Sequence, residues 1–156
     1  MVDNNQITLK MYQSDYIPRG SSVLVGRLAP CIGVIIYNPP TKEAYAGHYP
    51  ISLKVCNNGG LENLLDIAVE KFGDVTETEV FVSGGRIRKE IKKTVMSNRK
   101  EVNRILRKYE FKDSNVHIRW TPEYERGVDM VLYTETGEAG LYRGGVKFMD
   151  LRNLSG

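Results

Sequence analysis

The sequence contains few of the residues that define cross-linked, metal-binding or membrane-spanning proteins. Only two cysteines, Cys31 and Cys56, occur in 156 residues, so no disulfide framework is expected. The two histidines, His48 and His117, show no ligand spacing with these cysteines, so we expect neither a metal nor a cofactor. No apolar run approaches the roughly 20 residues that cross a bilayer, and no secretory signal is visible near the first residues. We therefore expect a cytoplasmic protein without membrane insertion.

Positive charge is concentrated in one segment, although the net charge is only +3. Eleven of the 22 basic residues lie between Arg86 and Lys112, against the three acidic residues Glu90, Glu101 and Glu110. Such a segment can attract nucleic acid or an acidic protein surface. Aromatic residues that would stack on bases are not interleaved with these charges, so a solvated helix face is favoured and nucleic-acid binding is disfavoured.

Hydrophobic periodicity predicts strands and helices in an order typical of an α+β protein. A helix is predicted over Leu61–Phe72, where Gly73 gives the stop signal, and a capping box of Asn98 and Glu101 predicts the start of a second helix. Strands are predicted over residues 7–11, 22–28, 32–37, 79–82, 116–120, 128–133 and 139–142, and residues 44–55 are predicted to form one long strand or two short strands interrupted by Pro50. Without a repeat or a linker, this order predicts a single layered α+β domain over residues 1–156, in which mixed β-sheet strands pack with two main helices.

Cys31 directly precedes the predicted strand over residues 32–37, and His48 lies in the next predicted strand, after a short turn. This arrangement would bring a thiol and an imidazole together, which is the minimum equipment of a cysteine nucleophile. Cys31 and His48 are therefore the candidate catalytic residues. The alternative for Cys31 is a buried apolar role, because free cysteine is among the most buried residue types. Cys56 has no such partner and is predicted to be structural, and His117 is predicted to be solvated or hydrogen-bonded.

Five segments, taken in order, resemble one known family. They are Cys31-Ile-Gly-Val-Ile-Ile-Tyr-Asn-Pro, Ala46-Gly-His48 with a following proline, Phe81-Val-Ser-Gly-Gly85, the helix Asn98-Arg-Lys-Glu-Val-Asn-Arg-Ile-Leu106 and the hairpin Asp129-Met-Val-Leu-Tyr-Thr-Glu-Thr-Gly-Glu138. Over residues 7–143 the chain resembles a divergent member of the CheD family, the chemoreceptor glutamine deamidases of bacterial and archaeal chemotaxis. Their Cys-His amidohydrolase superfamily is shared with deamidases of the cytotoxic-necrotizing-factor type.

The resemblance implies a CheD-like fold and a protein-glutamine deamidase. A Cys31 thiolate would attack the glutamine side-chain amide with His48 as the base, giving glutamate and ammonia. The Cys31 N–H and an amide near Gly33 would stabilise the oxyanion. The substrate would be a protein, either a chemoreceptor or another signalling protein.

The chain departs from the family at the third member of the catalytic triad. The family carries a threonine there, and this chain has Val25. Ser21, Ser22 and Thr41 are the nearby hydroxyls, and a backbone carbonyl is a further alternative for orienting the imidazole of His48. Two other functions stay open: a catalytically impaired CheD-like interaction domain, and a binder of nucleic acid or an acidic partner through residues 86–112.

Overall fold

The structure is a computed structural model that describes residues 5–50, 53 and 59–153. In this part of the chain, ten strands and two α-helices form one α+β domain. The strands are β1 (Gln6–Leu9), β2 (Ser14–Ile17), β3 (Ser22–Leu28), β4 (Ile32–Asn38), β5 (Glu43–Tyr49), β6 (Glu79–Gly84), β7 (Val116–Trp120), β8 (Val128–Tyr133), β9 (Ala139–Arg143) and β10 (Val146–Asp150), and the helices are α1 (Leu61–Phe72) and α2 (Lys92–Leu106).

The strands form two mixed sheets of five. The first sheet has the order β1-β3-β8-β9-β10, and the second has the order β2-β5-β4-β6-β7. β1 pairs with β3 in parallel and β6 pairs with β7 in parallel, whereas the other neighbours are antiparallel. In the second sheet, β4 is therefore held between β5 and β6.

Two apolar cores separate three layers. The inner core lies between the two sheets, where Val25 and Met130 of the first sheet meet Ile35 and Phe81 of the second. The outer core lies between the second sheet and the two helices. Every residue of β4 is buried, since this strand is covered by a sheet on one face and by helices on the other. Its nearly continuous apolar sequence predicts such a position.

The first predicted helix is confirmed with the same bounds, and the predicted start of the second is wrong. α1 ends at Phe72, and the following Gly73 has a positive φ (75°) and donates its N–H to the Val69 carbonyl. α2 begins at Lys92, so Asn98 lies inside the helix rather than at its cap. Val95 is already buried before the predicted cap, and this burial outweighs the local capping pattern.

Some strand predictions also differ from the structure. The edge strands β2 and β10 are not predicted by the sequence patterns, because each is short and lies at the margin of a sheet. β5 ends at Tyr49, and most of the remaining stretch of the predicted strand over residues 44–55 lies outside the described residues, as does Cys56. Within the described part of the chain, neither α-helix combines the length and apolar character needed to cross a membrane.

Candidate functional site

Cys31 lies at the entrance to β4 and is held there by a glycine pair at the end of β6. Its carbonyl accepts a hydrogen bond from the N–H of Gly85 (2.9 Å), and the Ala29 carbonyl accepts one from Arg86 (2.7 Å). Gly84 has a φ of 88°, and a Cβ built on it would lie 2.0 Å from the Cys31 carbonyl oxygen. Only glycine fits this position, so the Gly84-Gly85 pair is more than a turn at the end of a strand.

The Cys31 thiol lies on the inner-core face of the second sheet. It is 7% exposed and packs within the inner core. Burial raises the pKa of the Cys31 thiol, and a hydrogen bond from the residue's own backbone N–H opposes that rise. The resting sulfur is therefore a neutral thiol at neutral pH.

His48 is positioned by β5 and by the connection between β1 and β2. Its backbone N–H donates to the Gln13 carbonyl (2.8 Å), and its carbonyl accepts from the N–H of Tyr12 (3.1 Å). The ring atom Nδ1 lies 3.2 Å from the carbonyl oxygen of Leu9, the last residue of β1. A carbonyl only accepts hydrogen bonds, so Nδ1 carries the proton and Nε2 of the neutral ring presents its lone pair.

The imidazole of His48 is buried and uncharged. The residue is 1% exposed, and Nε2 has no hydrogen-bond partner in the described structure. Burial lowers the pKa of His48, and the hydrogen bond to Leu9 opposes the change only in part. The structure therefore holds a neutral base with a free acceptor atom at neutral pH.

Cys31 and His48 share one face of the second sheet, but they are not hydrogen-bonded through Nε2. β4 and β5 pair Gly33 with His48, and Cys31 lies two positions before Gly33, so the two side chains are diagonal neighbours on the same face. Diagonal neighbours in an antiparallel pair are separated by about 7 Å. A proton can pass between them only after a small approach or through an intervening group.

Apolar side chains of the first sheet fill the space above Gly33. A Cβ built on Gly33 would lie 2.7 Å from Leu28 Cδ1, 2.8 Å from Met130 Sδ and 3.1 Å from Val25 Cγ1. Val25 stands at the expected position of the third triad member. It therefore faces Gly33 of β4, the residue that pairs with His48. It offers a methyl group there and not a hydroxyl.

None of the three hydroxyl residues suggested by the sequence is hydrogen-bonded to the imidazole of His48, because Nδ1 contacts the Leu9 carbonyl and Nε2 has no partner in the described structure. Thr41 lies in the turn between β4 and β5, where its hydroxyl accepts from Asn38 Nδ2 (2.9 Å). Ser22 alternates with the inward-facing Val23 and Val25 on β3, so it points to the other face of the first sheet. The Ser21 carbonyl bonds to Thr134. The Leu9 carbonyl is instead the group that orients the ring, and a backbone atom leaves no signature in the sequence.

A row of polar side chains crosses the second sheet at the level of Gly33. The pairings align His48 of β5, Gly33 of β4, Ser83 of β6 and Arg119 of β7, so that three polar side chains flank Gly33 on the inner-core face of the sheet, and we call these four residues the transverse row. Ser83 is fully buried, and its Oγ has no hydrogen-bond partner in the described structure. Ser83 is not recognisable from the sequence, because a single serine in an apolar strand carries no signal of its own.

A cavity of about 500 Å³ adjoins His48 on the side of β1. Leu9, Met11, Arg27 and Asp129 contribute to its lining, and Cys31 does not. Arg27 is left-handed (φ 57°) at a break in the pairing of β3 with β8, and its N–H donates to Asp129 Oδ1 (2.7 Å). The cavity gives access to the neighbourhood of the base and not to the thiol.

His117 has a structural environment that agrees with its predicted hydrogen-bonded role. Its Nε2 lies 3.2 Å from Glu79 Oε2, and its ring stacks on Phe81 with the centroids 5.0 Å apart. Arg152 adds a bidentate ion pair to Glu79 at 2.7 and 2.8 Å. Although burial acts to raise it, the hydrogen bonds from His117 and Arg152 lower the pKa of Glu79 to about 2. This cluster joins Arg152, which follows β10, to β6 of the second sheet.

The basic segment is partly neutralised by acidic partners. On α2, Arg104 pairs with Glu101 and with Glu62 of α1, and Lys108 pairs with Glu62. The charges of Arg104 and Lys108, both exposed, are therefore matched by acidic side chains, as expected of a solvated face.

Among the described residues, no group of three or more histidine, cysteine or acidic side chains is arranged to hold a metal ion. No model of a known protein family matches the chain, and no curated protein matches it.

Proposed function

We propose that the chain is a cysteine-dependent amidohydrolase that deamidates glutamine side chains of a protein to glutamate, with Cys31 as nucleophile and His48 as base. The observation that carries the proposal is the hydrogen bond from His48 Nδ1 to the Leu9 carbonyl. It fixes the tautomer in which Nε2 accepts a proton, on the same sheet face as Cys31. The resemblance to the CheD family supports the same pair of residues.

The proposed reaction starts from a neutral thiol and a neutral imidazole, because burial disfavours the charged form of both groups. The two side chains first approach each other, and His48 Nε2 then takes the proton of Cys31 as the sulfur attacks the amide carbon, which gives a tetrahedral oxyanion. The imidazolium then protonates the departing nitrogen, and ammonia leaves as the thioester forms. Water, deprotonated by the same imidazole, hydrolyses the thioester to glutamate and restores the thiol.

The Leu9 carbonyl takes the place of the hydroxyl that completes the triad in the CheD family. It holds Nδ1–H through the catalytic cycle and stabilises the imidazolium that forms after proton transfer. A hydroxyl at Val25 is therefore not required. The proposed substrate remains a protein, a chemoreceptor or another signalling protein, and the proposed location is the cytoplasm.

Ammonia release from a pool of glutamine-containing proteins tests this proposal directly. We expect release by the wild type, and loss of release to background in Cys31→Ala and His48→Ala. Cys56→Ala is the matched control and is expected to retain release, because Cys56 has no role in the proposed chemistry. Equal release by the wild type and Cys31→Ala would contradict the proposal.

A catalytically impaired interaction domain is the second candidate, and one observation favours it. Cys31 is only 7% exposed, and the space between it and His48 is covered by Leu28, Met130 and Val25. On this alternative the thiol is a buried apolar group. This alternative predicts no ammonia release from any substrate. It also predicts that Cys31 is alkylated slowly and that His48→Ala leaves the alkylation rate unchanged.

A further inference from the structure

Ser83 is a second polar residue near Cys31, besides His48, and it has no role in the reaction described above. It lies opposite Gly33 on β6, whereas His48 lies opposite Gly33 on β5. The Cys31 carbonyl is bonded to Gly85, two residues beyond Ser83. Cys31 is therefore a diagonal neighbour of both side chains, with the base on one side and the hydroxyl on the other.

The Ser83 hydroxyl is buried without a partner. The residue has no exposed surface, and Oγ makes no hydrogen bond in the described structure. An unpaired hydroxyl in a protein interior is unfavourable, and such groups are rare in native structures. This buried hydroxyl can therefore donate a hydrogen bond to an acceptor atom of a bound ligand.

The proposed reaction needs a hydrogen-bond donor at this point. Gly33 lies between two paired strands, so the sheet ladder uses its backbone N–H, and the expectation of an oxyanion donor near Gly33 fails for that amide. The Cys31 N–H, which contacts the residue's own sulfur, remains as one donor. A hydroxyl on the side of Cys31 opposite to His48 would supply the second hydrogen-bond donor.

We propose that Ser83 is a catalytic residue whose Oγ–H donates a hydrogen bond to the carbonyl oxygen of the substrate amide and to the oxyanion that forms from it. This inference rests on the proposed amidohydrolase function. The substrate amide lies across Gly33, with its carbonyl oxygen towards β6 and its nitrogen towards His48. Leu28 and Met130 yield the space above Gly33 as the substrate enters, and the flexible thioether chain of Met130 allows this.

Thr121 is the competing donor near Cys31. It is fully buried, its Oγ1 has no partner in the described structure, and its N–H donates to the Gly84 carbonyl (2.8 Å). Ser83 is favoured because it lies in the transverse row, directly across Gly33 from the base. Thr121 lies beyond the end of β7 and outside that row.

The experiment compares Ser83→Ala with the wild type in ammonia release, in alkylation of Cys31 by iodoacetamide and in thermal unfolding. Removing one oxyanion donor is expected to lower kcat about a hundredfold to a thousandfold. The alkylation rate of Cys31, read by peptide mass spectrometry, is expected to stay unchanged, because alkylation forms no oxyanion. The unfolding temperature is expected to stay the same or rise, since the variant removes an unpaired hydroxyl. Ser14→Ala is the matched control: this serine is also buried in the second sheet, but it faces the helices, and its variant is expected to retain kcat.

Each other result overturns the inference in a recognisable way. Wild-type kcat in Ser83→Ala, or a loss of kcat in Thr121→Val alone, would remove Ser83 from the reaction and leave the Cys31 and His48 pair intact. A parallel fall in alkylation and in unfolding temperature would show that Ser83 supports the structure instead. Absence of release by the wild type itself would overturn the proposed function, and this inference with it.

Discussion

Substitution of Gly84 by alanine tests whether the glycine pair at the end of β6 holds the nucleophile in place. Gly84 and Gly20 provide a matched pair, because both have a φ of 88°. A Cβ on Gly20 would meet nothing within 4 Å, whereas a Cβ on Gly84 would lie 2.0 Å from the carbonyl oxygen of Cys31. The two variants therefore share the backbone strain and differ in the contact with Cys31.

The expected magnitudes follow from these two terms. Placing an alanine in the left-handed region costs about 1–2 kcal/mol, so Gly20→Ala is expected to lower the free energy of unfolding by that amount. Gly84→Ala adds overpacking against a backbone atom, for about a further 1–3 kcal/mol. Because the Cys31 carbonyl must move, its hydrogen bond from Gly85 weakens and the thiol shifts relative to His48.

Urea unfolding and ammonia release measure the two consequences. We expect Gly84→Ala to be the less stable variant and to lose ammonia release under conditions where it is still folded, while Gly20→Ala retains release. Equal losses of stability in the two variants would refute the reasoning, since they would show that the contact with Cys31 contributes nothing. Full activity in a destabilised Gly84→Ala would separate the glycine pair from the chemistry.

Two further predictions concern the base. Val25→Thr is expected to lower the free energy of unfolding by about 1–3 kcal/mol, because it buries a hydroxyl. Its ammonia release is expected to be no higher than that of the wild type, because the Leu9 carbonyl already orients the imidazole of His48. A marked increase in release would show that the missing hydroxyl limits catalysis. The lowered pKa of His48 means that, below about pH 6.5, the unfolded chain binds a proton that the folded chain does not. This residue therefore makes the free energy of unfolding decrease as the pH is lowered, by up to about 1.4 kcal/mol per pH unit. Urea unfolding between pH 7 and 5 checks this, and His48→Gln is expected to show a shallower slope; identical slopes would contradict a buried neutral imidazole.

The layered α+β fold could be predicted because its buried elements carry strong local patterns. β3 and β7 have the bounds that alternation predicts, and α1 has the bounds that its apolar spacing and Gly73 predict. The start of α2 could not be predicted, because the capping pattern at Asn98 is local and the burial of Val95 is tertiary. The short edge strands depend on pairing partners that are distant in sequence.

The candidate site could be predicted only as far as side chains reveal it. Cys31 and His48 are recognisable by residue type, and the strand-turn-strand pattern predicts that they share a sheet. The Leu9 carbonyl could not be found, because it is a backbone group brought to His48 by the long-range pairing of β1 with β3. The position of Ser83 depends on the register of β4 with β6, which no local pattern of the sequence specifies.

The hydrogen bond between Leu9 and His48 joins the two sheets, since β1 belongs to the first sheet and β5 to the second. The acid–base character of the imidazole is therefore a property of how the sheets are docked, and not of one sheet alone. β1 contributes only four residues and lies at the edge of its sheet, so its local opening costs far less than global unfolding. Detachment of β1 removes the acceptor that selects the Nδ1–H tautomer. On the proposed function, local opening of β1 would therefore lower the fraction of molecules in which His48 is held as the required tautomer.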